Sequence, residues 1–190
     1  MQRYMIEVRM CATRVCVCWQ FFIALPVFWV VTRSFWGALV AFVSLALLAL
    51  AHELGHATLA RFCGRQVERI ELHLLQGWCI FSKPEYEIEE IIVSWGGVLV
   101  QLGLFVAFEL IYHGARSFHP EGVHLLNPIF AVFIGWNVIS LIVNLLPIEG
   151  VDGATAWKII PALRDGTFES YLRSKGYAFR LTRRARIRNS

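Results

Sequence analysis

Long apolar runs almost free of charge leave this chain few ways to fold. Residues 15–31, 35–51 and 126–146 contain no charged side chain, and residues 91–112 contain only Glu109. A helix crosses the hydrocarbon core of a bilayer with about 20 apolar residues. Composition agrees: 57% of the chain is apolar and 17% charged, against about 45–50% and about 25% in soluble domains. The 190 residues are enough for one domain. The expected fold is an all-α polytopic membrane protein with about four transmembrane helices.

Each run has its own punctuation. The first has no small-x-small cleavage site after it, only Thr32-Arg33-Ser34, so it is expected as a retained extra helix and not as a secretory signal. The second passes into His52 without a turn signal and reaches Gly64, a natural helix stop. A helix over 35–63 would be about 43 Å long, longer than the hydrocarbon core. Residues 65–90 alternate short apolar and charged stretches, which predicts a small β-hairpin with its turn near Gly77. A short helix is expected over 154–163. The division is an N-terminal segment with its helix (1–34), a core (35–163) and a basic tail (164–190).

Charge sets the expected orientation. Arg3, Arg9, Arg14, Arg61, Arg65, Arg69, Lys83 and the tail residues Arg173, Lys175, Arg180, Arg183, Arg184, Arg186 and Arg188 would share one side of four spans. Arg33 and Arg116 would lie on the other. The positive-inside rule then puts both termini in the cytosol, in a cell or inner membrane. Behind a membrane helix the tail reads as lipid-facing, and no nucleic-acid partner is expected. The five cysteines match no disulfide framework. Cys16-x-Cys18 alone is a weak metal signal, and reduced, buried thiols are expected.

Chemistry concentrates in His52-Glu53-Leu54-Gly55-His56. Residues four apart share a helix face, so two imidazoles can hold one zinc while Glu53 reaches the water it activates. Such residues at the end of an apolar helix are costly near lipid and mark a function. A hydrolytic zinc needs a third protein ligand. Asp152, in Asn144-Leu145-Leu146-Pro147-Ile148-Glu149-Gly150-Val151-Asp152-Gly153, is the favoured candidate, with Glu149 as a rival. The second and fourth runs would travel in the same direction, which brings Asp152 to the same membrane face as the His pair.

HELGH on an apolar helix, followed by NxxPxxxxDG at the end of a later one, resembles the site-2 protease family of intramembrane zinc metalloproteases, in a compact form without PDZ or CBS domains. The likeness covers about residues 35–163. Its motif positions map onto His52, Glu53, His56, Asn144, Pro147, Asp152 and Gly153. Gly96-Gly97-Val98-Leu99-Val100-Gln101 resembles the family's A-G-P-L-A-N segment, departing at Val98 and Gln101. The resemblance implies a three-helix core, a surface β segment whose edge pairs with unwound substrate, and zinc held by His52, His56 and Asp152. Glu53 would be the base, and Asn144 a hydrogen-bond donor to substrate or oxyanion. The expected partners are membrane-anchored substrates and the lipid bilayer. Two other classes remain open: a catalytically silent metal-binding scaffold, and a small ion transporter using the polar residues as a relay. His73, His113, His119 and His124 read as surface or interface residues and not as ligands, Glu109 as a solvated or snorkelling carboxylate near a helix end, and Trp19, Trp29, Trp36, Trp78 and Trp95 as interfacial belt residues.

Overall fold

The structure is a computed structural model and describes residues 4–10, 13–74, 77–118 and 126–176. His119, His124 and the tail beyond Gly176 lie outside the described residues. Strands β1 (Tyr4–Met10) and β2 (Thr13–Cys18) lead through a 3-10 turn (Trp19–Ile23) into helix α1 (Ala24–Thr32). Helix α2 (Phe35–Phe62), strands β3 (Val67–Leu72) and β4 (Gly77–Phe81), and helix α3 (Glu87–Phe118) follow. Helix α4 (Asn127–Asn144) precedes three short helices, α5 (Gly153–Ala156), α6 (Ile159–Arg164) and α7 (Thr167–Ser174).

Among the described residues three helices, α2, α3 and α4, are long and apolar enough to cross a membrane. They form a helical membrane protein with a β insert, as expected, but the first apolar run behaves differently. Its Val15-Cys16-Val17-Cys18 stretch is strand, not helix, and the helical remainder Trp19–Thr32 is shorter than the three spans. Alternating β-branched residues favour a strand there. Pro26 lacks the donor that an α-helix would direct at Phe22, and the turn before it is 3-10.

The insert is also larger than a hairpin. The four strands form one sheet in the order β1-β2-β3-β4. β2 lies parallel to β3, Cys16 opposite Glu71 and Val17 opposite Leu72, while the flanking pairs are antiparallel. Val15, Ile70 and Leu72 join the core that α2 shares with α3 and α4. Gly77 opens β4.

Local chemistry fixes the ends of α2. The Ser34 hydroxyl accepts from Gly37 N at 3.2 Å, a standard N-cap. At the far end Gly64 takes a left-handed φ of +80°. Arg65 N donates to Ala60 O and Gly64 N to Arg61 O, both at 2.9 Å, a glycine-dependent stop. Gly55 of α2 and Gly96 of α3 meet where a Cβ on either would overlap the other's backbone, so these helices cross as closely as small residues permit.

Helix α4 carries a π-helical stretch over Ala131–Trp136. Beyond it Asn137, Ser140 and Asn144 share one face and meet Gln101 of α3. The tail region is not wholly solvated: α7 packs Tyr171 against Ile88, Ile91 and Ala162. Glu89, fully buried, ties this corner together. It pairs with Arg65 at 2.9 Å and Lys175 at 3.5 Å and accepts from the Tyr171 hydroxyl at 3.2 Å.

Candidate metal centre

One helical turn presents His52, Glu53 and His56 from the C-terminal half of α2, and all three are buried. The ring N–H at His56 Nδ1 donates to Val93 O at 2.7 Å. That bond leaves Nε2 with its lone pair free to ligate. His56 Nε2 stands 3.0 Å from His52 Nε2. Two such nitrogens repel unless a proton or a cation lies between them.

Asp152 completes the convergence from the loop after α4. Its Oδ2 is 3.1 Å from His52 Nε2 and 3.3 Å from His56 Nε2. A tetrahedral zinc with bonds of about 2.0–2.1 Å spaces its donors about 3.3 Å apart. The three observed edges fit that demand, and two imidazoles with one carboxylate fit zinc chemistry. Burial alone would raise the Asp152 carboxyl. Hydrogen bonds from His52 and His56 outweigh that and hold it well below the usual carboxylate range. Glu149, the rival ligand, is exposed on the rim.

Several residues outside the motif hold this arrangement. A Cβ on Gly97 would run into the His52 and His56 rings, so only glycine lets α3 lie beside them. Trp95 Nε1 donates to Ala156 O at 3.0 Å, and Trp157 Nε1 donates to Leu145 O at 2.7 Å. The two indoles, 5.9 Å apart edge to face, bracket the Asp152 loop. A Cβ on Gly153 would strike the Leu145 and Leu146 backbone, so glycine is required where α5 folds back on the end of α4. Trp95 is therefore a structural donor and not merely a belt residue. Nothing in the local sequence announces these contacts except the Gly96-Gly97 pair.

Glu53 stands apart from the three. One of its carboxylate oxygens and a ring nitrogen of each histidine lie within 4.8 Å of one another. The backbone of β4 passes over it, since a Cβ on Gly77 would overlap the Glu53 carboxylate. Asn144 Nδ2 donates to Gln101 Oε1 at 3.2 Å, and Gln101 Nε2 donates to Ser140 Oγ at 2.9 Å. Gln101, which departs from the family pattern, is thus buried and engaged with Asn144.

His52, Glu53, His56, Gln101, Asn144 and Asp152 line one cleft of about 1190 Å³. His73, Trp78 and Ile80 wall it on the sheet side, and Trp136, Val143 and Pro147 on the α4 side. Glu109 lies remote from it, paired with His113 at 3.4 Å near the other end of α3.

Comparison with known proteins points the same way. A family model described as Peptidase M50B-like matches residues 46–119, which include the whole HELGH motif. The site-2 protease from Methanocaldococcus jannaschii has a similar fold. It aligns with 83% of this chain and 71% of its own, with a TM-score of 0.64 at 21% identity. No curated protein matches. The family model and the shared fold together bear out the resemblance to the site-2 protease family.

Proposed function

We propose that this chain is a zinc metalloprotease that cuts peptide bonds in or near the transmembrane segments of membrane-anchored proteins. The observation that carries the reading is the meeting of His52 Nε2, His56 Nε2 and Asp152 Oδ2 at mutual distances of 3.0, 3.1 and 3.3 Å. The buried carboxylate of Glu53 stands beside them. His52, His56 and Asp152 would hold zinc, which supplies Lewis acidity and brings the pKa of a water toward about 7.

The chain's own groups do the rest. Glu53 takes a proton from the attacking water at its carboxylate and delivers it to the leaving amine. Asn144, held by Gln101, offers its amide to the scissile carbonyl as negative charge develops there. β4 is an edge strand beside the cleft. A substrate helix must unwind before its carbonyls are reachable, and an edge strand stabilises the extended form by β-addition. Both termini and the site are assigned to the cytosolic side of the cell membrane by the arginine distribution.

The test compares Glu53→Gln with the unaltered protein on a membrane-anchored peptide reporter in proteoliposomes. Cleavage is expected to fall about 10²–10⁴-fold with zinc content retained. Equal cleavage would refute the mechanism. Zinc bound without cleavage by either protein would favour the silent scaffold.

A further inference from the structure

A second set of metal-type donors lies on the sheet, away from the helical site. β2 contributes Cys16 and Cys18, and β3 with its following residue contributes Glu71 and His73. Parallel register sets Cys16 opposite Glu71 and Val17 opposite Leu72. Residues two apart on a strand share a face, so all four donors lie on the face opposite the apolar Val15, Ile70 and Leu72. Cys16, Cys18 and Glu71 are 2%, 1% and 2% exposed.

Two of the other donors stand against His73 at distances that a shared metal would set. Its Nε2 is 3.6 Å from Cys18 Sγ and 3.3 Å from Glu71 Oε2. A tetrahedral zinc with bonds of about 2.3 Å to sulfur and about 2.0 Å to nitrogen and oxygen sets these edges at about 3.5 and about 3.3 Å. Arg69 Nε donates to the other Glu71 oxygen at 2.6 Å, as an outer partner does for a ligating carboxylate. The Trp78 ring backs the imidazole at 5.0 Å. The four sheet donors are not gathered as His52, Glu53 and His56 are, whose ligand atoms all lie within 4.8 Å of one another, so metal entry must draw the sulfurs and Glu71 inward by side-chain rotation.

From this juxtaposition we infer that Cys16, Cys18, Glu71 and His73 form a second, structural zinc site that staples β2 to β3. Zinc displaces the thiol protons and binds two thiolates, one imidazole and one carboxylate, closing all four positions to water as structural sites do. The staple fixes the strand from which β4 hangs over Glu53, and His73 itself faces the cleft. The site stands whether or not the protein is a protease.

Cobalt(II) tests it in the purified full chain, stripped of metal and kept reduced. The helical site has only nitrogen and oxygen donors, so it gives no thiolate-to-cobalt charge-transfer band in the near ultraviolet. The sheet site has two thiolates and does. Titration is expected to reach two cobalt ions per chain with that band present. Cys18→Ser should remove one ion and the band. Asp152→Asn should remove one ion and keep the band, which separates this site's failure from that of the helical one. A wild-type chain that binds one cobalt with no charge-transfer band overturns the inference, whatever the variants do. So does a band that persists in both Cys16→Ser and Cys18→Ser.

Discussion

Single residues decide whether the donors can meet. Gly97 is the clearest case, because the space a methyl would need there is filled by two imidazole rings. Gly97→Ala is expected to lose most of its helical-site zinc while keeping its helical circular dichroism; a full zinc complement would show that the rings have room to yield. The His pair, Glu53 and Asp152 were legible from sequence because a helical spacing of four is local and because polar groups are costly beside lipid. Gly97, Trp95 and Trp157 were not legible as site residues. Their partners lie on other elements, and the Trp95 to Ala156 contact spans 61 positions.

At the scale of elements, the crossing of α2 and α3 controls the site. Gly55 and Gly96 let the backbones touch, which sets Val93 O against His56 and Gly97 against both rings. Overpacking a tight contact costs about 1–3 kcal/mol or more. Gly55→Val should therefore lower the thermal unfolding midpoint in detergent and release zinc together; an unchanged midpoint would mean the crossing is loose. The long apolar helices were legible because length and hydropathy suffice to find them. The N-terminal strands were not. Val15-Cys16-Val17-Cys18 is as apolar as a helix, and its pairing with β3 depends on a parallel register with residues 69–72 that no local pattern encodes. The β3–β4 hairpin, whose pairing is local, was placed nearly where it lies.

Across the whole molecule, connectivity gathers the sheet, the α2 motif and the Asp152 loop at one end of the bundle. Proton uptake at that end should govern activity in acid. The Asp152 carboxyl is held below its usual range. Its charge is therefore fully present above its ordinary value of about 3.9 and is lost only as pH falls through the lower folded value. Ligating imidazoles must be unprotonated at the metal-facing nitrogen, so zinc and protons compete for them. Cleavage is thus expected to fall as protons displace zinc and to recover when zinc is added; an acid limb indifferent to zinc would assign it to carboxylates instead. The most direct test of the three-donor centre is zinc per chain in the purified protein and in Asp152→Ala. The variant should carry one ion fewer than the unaltered chain, and equal zinc in the two would contradict the account.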